Sequence, residues 1–270
     1  MMRVLPGFRS SLTLALMYLT AMVVVPLVAC VATVSSLTFQ EFWAAVWTPR
    51  ARSAYALTFG ASFASAAITS GLGILLAWVL VRYEFPFKRV LDALVDLPFA
   101  LPTAVAGLVY SSLYVENGWL GRFLVPLDIH LAYSRSAIVL VLVFIGLPFS
   151  VRTVQPVLES FDVETEEAAH SLGATRWQTF WRVILPALIP ATITGFALSL
   201  ARGLGEYGSV VFVSNNRPFE TEIAPQLIVQ RLQEFHYREA ASIAVVLLAA
   251  SFTLLLVINL LERWSKRYEA

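Results

Sequence analysis

The sequence predicts an all-α, polytopic membrane protein: one domain over residues 1–270, six transmembrane helices, and a cytoplasmic helical segment at about 162–186. Three observations lead there. The chain is 58% hydrophobic and 14% charged, with mean hydropathy +0.73, whereas soluble chains carry about 25% charged residues. Apolar runs of about 20 residues, the length a hydrocarbon core requires, recur six times, at roughly 11–36, 54–81, 94–115, 136–158, 185–213 and 240–261. Between the fourth and fifth lies a polar stretch rich in helix-capping residues.

Composition also narrows function. A net charge of +1 gives no footing for nucleic acid. Cys30 is the single cysteine, so no intrachain disulfide forms. His130, His170 and His236 are far apart and lack ligand spacing, so no metal is expected. Lys and Arg in the connections set orientation. With both termini inside, 11 lie on the cytoplasmic side and 7 outside, the sign expected of a chain with cytoplasmic ends.

The first run has the look of a lipoprotein signal: Arg3 and Arg9, an apolar stretch, then Leu27-Val28-Ala29-Cys30. Hydrophobicity continues to Leu37, and cleavage would leave five spans with the wrong sidedness, so the run is read as a retained helix bent at Pro26. In the second run Ala61, Ser65, Gly71 and Gly73 suit close helix contact. The third contains Pro98 and Pro102, followed by Thr103. Two prolines four apart free carbonyls of the preceding turn, which fits either a pathway-lining backbone or a kinked core helix. Arg152, near the end of the fourth run, is placed to snorkel to headgroups. The stretch 217–235 reads as amphipathic and external, with Arg217, Arg231, Glu234 and Arg238 offering charges either to a partner or to water. The last run ends on a basic, aromatic anchor at 262–267.

The polar stretch is the most informative. Glu164, Glu166 and Glu167 fall where a first turn favours negative charge. Gly173 stops that helix, Thr175 and Gln178 open a second with a capping box, and Pro186 ends it. Ala169, Leu172, Gly173, Trp177 and Phe180 share a face. Small side chains at Ala168, Ala169 and Gly173 let another protein approach the backbone, with Glu167 supplying one charge for register.

The fifth run carries Arg202 and Glu206, four apart on one helix face in its middle or outer half. A charge at the bilayer centre costs about 2.5–3.5 kcal/mol on insertion scales, so such residues face protein or water. They form either a structural ion pair or a gate in which Arg202, Tyr207 and Ser209 donate to a passing oxyanion. Gly203, Gly205 and Gly208 match a dinucleotide-binding fingerprint, but no strand precedes them, and no Gly-Lys pair forms a P-loop. This chain does not hydrolyse ATP by that route.

The order Glu167-Ala168-Ala169, Gly173, Val183, Leu185-Pro186 resembles the EAA motif of ABC importer permeases, with Val183 where isoleucine is usual. Together with 96–107, 201–212 and 221–225, it resembles the T-type permease subunits of bacterial sulfate/thiosulfate ABC importers over nearly the whole chain. The resemblance implies a coupling helix at Glu167 to Gly173 seated in a cytoplasmic ATPase. It also implies a heterodimer with a second permease, two ATPase subunits, an external sulfate-binding protein and a lipid-embedded place in the inner membrane. No cofactor is implied. Two rivals stand beside it: a molybdate or tungstate permease, and an ATPase-independent channel or intramembrane enzyme built on Arg202 and Glu206.

Overall fold

The computed structural model describes residues 7–266, with side chains described to residue 260. Arg3, Arg267 and the basic anchor expected at 262–267 lie outside the described side chains. Helices account for the chain in this order: α1 (Phe8–Ser35), α2 (Phe39–Val46), α3 (Pro49–Arg82), α4 (Lys88–Val95), α5 (Leu97–Ala100), α6 (Thr103–Tyr114), α7 (Gly121–Leu124), α8 (Arg135–Ser160), α9 (Val163–Ser171), α10 (Arg176–Leu204), α11 (Val210–Val213), α12 (Ala224–Gln233) and α13 (Tyr237–Lys266).

Five of these, α1, α3, α8, α10 and α13, are long and apolar enough to cross a membrane. The expected third crossing is not one helix. It is broken into α4, α5 and α6, because Pro98 and Pro102 withhold amide donors and Leu101 and Pro102 become extended, at ψ 132° each.

The centre is a three-helix bundle of α3, α8 and α10. Lipid is as apolar as leucine, so association between such helices depends on close packing and hydrogen bonds, and small residues supply both. A Cβ on Gly73 would lie 2.6 Å from the Ser150 Cβ, and one on Gly195 2.9 Å from the Ser150 Cα. Ser199 donates to the Gly146 carbonyl at 2.9 Å, and the Ser150 hydroxyl lies 3.1 Å from the Ser199 hydroxyl. Of the small residues expected to pack in α3, Ala61, Ser65 and Gly73 are buried, but Gly71 faces open space. Around this seam sit Ile138, Val141 and Ile145 at one level and Val154, Leu158, Ile184 and Leu188 at another.

α1 runs along the outside and meets the rest mainly where its second half touches α13; there Cys30 Sγ lies 3.9 Å from the Ala241 carbonyl. Pro26 does not break it. The turn Thr20–Val24 widens to the π form, the Val25 amide reaches back five residues to the Thr20 carbonyl, and the proline follows without a displaced hydrogen bond.

The stretch 217–235, expected to be external, is packed down rather than free. Arg50 at the start of α3 holds Glu222 through Nε at 2.8 Å and Nη2 at 2.6 Å, and also bonds Gln230. The Ala224 amide donates to Thr58 Oγ1 at 2.8 Å. Arg217 and Arg231, expected to offer charge, pair with Glu220 and with Glu234 and Glu239 respectively.

Candidate functional site

Two groups of residues stand at opposite ends of α10. Its 29 residues separate them by about 43 Å at 1.5 Å per residue.

At the first end, α9 starts where Asp162 Oδ1 accepts the Glu164 amide at 3.0 Å, with Glu164 and Glu166 in the first turn. It stops at Gly173, whose φ of +85° is a conformation that only glycine adopts without strain. There the Gly173 amide donates to the His170 carbonyl at 2.9 Å and the Ala174 amide to the Ala169 carbonyl at 3.0 Å, closing a Schellman end. The capping box forms as the sequence predicts: the Thr175 amide donates to Gln178 Oε1 at 2.8 Å, and the Gln178 amide to Thr175 Oγ1 at 3.3 Å.

The result is a projecting two-helix knuckle. Leu172 is 90% exposed and Trp177 71%. Glu167, Ala168 and Gly173 are exposed, Ala169 is half-buried, and between the two helices a shallow hollow runs from Ala169 past Gly173 to Arg182 and Val183.

The end expected at Pro186 does not occur. Phe180–Ile184 widens to a π turn, the Leu185 amide bonds the Phe180 carbonyl, and the helix continues through Pro186 and Pro190 to Leu204. This is the device that carries α1 past Pro26, and it makes the knuckle continuous with the fifth crossing.

At the other end, Arg202 occupies the last turn of α10, and Glu206 lies beyond it rather than within a helix, because the chain turns at Gly205. Arg202 Nη1 and Glu206 Oε2 are 2.5 Å apart, with Glu206 buried and Arg202 a third exposed. The other Glu206 oxygen accepts the Ser209 amide at 2.8 Å and the Ser209 hydroxyl at 2.9 Å. Ser209, expected to donate to a passing ion, therefore has its donors turned to Glu206. Tyr207 is half-buried.

The broken third crossing closes on this turn. A Cβ on Gly208 would lie 2.4 Å from Thr103 Oγ1, and one on Gly107 2.3 Å from the Ser209 carbonyl oxygen. Arg202, Glu206 and Ser209 are thus joined in one turn, which runs through Tyr207 and packs at Gly208 against Thr103, with Pro102 exposed at the entrance to α6.

Sequence reasoning missed three links. Arg152, expected to snorkel, bonds Asp96 through Nε at 2.9 Å and Nη2 at 2.6 Å, and Asp92 through Nη1 at 2.6 Å, tying α8 to the broken crossing. Arg82 pairs with Glu166. Arg50 pairs with Glu222. Asp92 and Asp96, one helical turn apart beside an apolar run, were the available signal for the first; long-range pairs such as the other two leave none.

A helical bundle that projects a capped knuckle at one end of a crossing and buries an ion pair at the other is built as a membrane transport subunit. The chain belongs to the family of binding-protein-dependent transport system inner membrane components, whose family model matches residues 69–267. It is 50% identical to the sulfate transport system permease protein CysT of Synechocystis sp. over 94% of this chain and 88% of that one. It is 46% identical to the CysT protein of Escherichia coli over 98% and 96% respectively. In fold it resembles a chain of a bacterial alginate ABC transporter in complex with its alginate pentasaccharide-bound periplasmic protein. That match has a TM-score of 0.80 at 19% identity and covers 94% of this chain and 93% of the other. A chain of the inward-facing MetNI methionine ABC transporter matches at TM-score 0.58 and 18% identity, covering 85% and 99%. The protein is a multi-pass membrane permease subunit of a transporter, not an enzyme, and the ATPase belongs to a partner.

Proposed function

We propose that this chain carries sulfate, and thiosulfate, across the cytoplasmic membrane as one permease of an ATP-driven importer. The observation that carries the reading is the 50% identity to a sulfate permease across nearly the whole chain. Its partners are a homologous second permease, two cytoplasmic ATPase subunits and an external sulfate-binding protein, and both termini are cytoplasmic.

Glu167, Ala168, Ala169 and Gly173 form the surface that seats in the ATPase. The small residues permit backbone approach, and the Glu167 carboxylate, which has no ion-pair partner among the described residues, supplies register. Pro186, together with the π turn before it, fixes how the knuckle joins α10. When ATP draws the ATPase subunits together, the knuckles move with them and α8 and α10 tilt, alternating access between the two permeases.

At the outer end, Arg202 is the cationic member of the pathway. A guanidinium has five donors, and Glu206 takes one edge of it. Tyr207 lies in the turn that follows it, Thr103 packs against Gly208 of that turn, Pro102 shapes the entrance to α6, and Glu206, itself held by Ser209, holds the Arg202 fork in place. A fixed guanidinium suits a tetrahedral dianion, and strong selectivity is left to the binding protein.

The test is uptake by the reconstituted complex with each oxyanion offered in turn. Sulfate and thiosulfate should compete with each other while molybdate competes poorly. The reverse order would move the assignment to a molybdate or tungstate permease, and ion flux through the chain without ATPase subunits would make it a channel.

A further inference from the structure

The knuckle touches more than the two crossings it joins. Arg82, in the last turn of α3, pairs with Glu166, in the first turn of α9, although 84 residues separate them in sequence. Both side chains are about four-fifths buried, at 18% and 20% exposed. The pair joins a helix C-terminus that favours a cation to a helix N-terminus that favours an anion. Around it α3 also meets the second helix of the knuckle, at the start of α10: the Arg82 guanidinium lies over Trp78 of its own helix at 5.8 Å, and Trp78 meets Phe180 edge-on at 5.6 Å. Ala77 packs in one cluster with Ile184 and Leu188.

Glu166 and Glu167 are neighbours with opposite assignments. Glu166 is turned inward onto Arg82, and Glu167 outward.

We propose that Arg82 and Glu166 are positioning residues forming a strut that delivers the knuckle's displacement into the second crossing, α3. This rests on the coupling reading of the knuckle and adds a route that the chain connections to α8 and α10 do not provide. No peptide bond links α3 to α9, so a knuckle that moved without α3 would have to separate this pair and the Trp78–Phe180 contact. With the strut intact, α3 follows, and through Gly73 on Ser150 it carries α8 with it.

The experiment uses the full complex with its ATPase subunits and binding protein in proteoliposomes, and reads sulfate moved per ATP hydrolysed. R82Q and E166Q should each lower that ratio at least about fivefold, the low end of usual inter-site coupling, while membrane abundance and ATPase retention stay at wild-type levels. The exchange R82E/E166R, which restores the pair against both helix dipoles, should recover half or more of the loss. A wild-type ratio in both single variants, or no recovery in the exchange, would overturn the proposal. So would a fall in abundance that parallels the fall in uptake, because the strut acts on motion and not on folding. Loss of ATPase subunits from E166Q alone would place Glu166 in the docking surface and also overturn it. Failure of the wild-type complex to retain ATPase subunits would instead remove the coupling reading beneath it.

Discussion

Arg202→Gln takes away the cation that faces Glu206, a carboxylate 2% exposed and 2.5 Å from the guanidinium. Breaking a buried pair by removing one partner costs about 3–5 kcal/mol, because the remaining charge is left without compensation. Two features put this site at the low end. Ser209 still donates its amide and hydroxyl at 2.8 and 2.9 Å, and hydrogen bonds to a charged group contribute about 1.5–3 kcal/mol each. Arg202 is also a third exposed, so water softens the field on one side. The expected loss is therefore about 3 kcal/mol, which at about 2–4 °C per kcal/mol for chains near this size lowers the unfolding midpoint by about 6–12 °C. Thermal unfolding of the purified complex reads this directly. The double variant R202Q/E206Q, which leaves no stranded charge, should regain more than half of the loss. A midpoint for Arg202→Gln within about 2 °C of wild type would refute the claim that the two charges are coupled in a buried site. The double variant also divides the two roles of Arg202. Restored stability with uptake still lost assigns it to the ion's path, and restored uptake makes the pair structural.

Four further perturbations test other parts. Gly173→Leu places an L-residue at φ +85° with nothing within 4 Å of its Cβ, at a backbone cost of about 1–2 kcal/mol. Membrane insertion, read by fractionation, should persist while ATP-linked uptake is abolished. Gly107→Val drives a Cβ to within 2.3 Å of the Ser209 carbonyl, which backbone cannot yield to; overpacking of about 1–3 kcal/mol should lower abundance and midpoint. Gly71→Val, which meets open space, should change neither. Glu41 is held below its usual 4.5 by hydrogen bonds from the Thr38 hydroxyl and amide. Because the native value is depressed, the cap's contribution is present above 4.5 and lost as pH falls through that lower value. Carboxyl NMR should show Glu41 titrating below the ordinary range and returning toward it in Thr38→Ala.

What the sequence made legible was local. Gly173, Thr175 and Gln178 each act through partners within five residues, so these caps of the knuckle were readable one by one, whereas the Asp162 cap that opens α9 was not singled out. Hydropathy located the crossings, because length and apolarity are properties of a single run. The errors have equally specific causes. Pro186 reads as a stop because a proline clashes with the carbonyl four residues back, and a π turn that moves the hydrogen bond to five leaves no composition of its own. Glu206 reads as helical because i and i+4 lie on one face, and the pair indeed forms, but the helix ends between them at Leu204. The third crossing reads as one helix on hydropathy, although its own prolines carried the evidence of a break. Arg152 with Asp92 and Asp96, and Arg82 with Glu166, depend on which helices lie side by side, and that is settled by packing across the whole bundle.

The account turns on the knuckle being the seat of an ATPase. A single cysteine at Leu172, 90% exposed at the tip, can be introduced with Cys30 replaced by alanine, and cross-linked in membranes carrying the whole complex. The account predicts a product joining this chain to the ATPase subunit, with a yield that changes between the ATP-bound and nucleotide-free states. A cysteine that labels from the external side, or that forms no product with the ATPase subunit in either state, would contradict it.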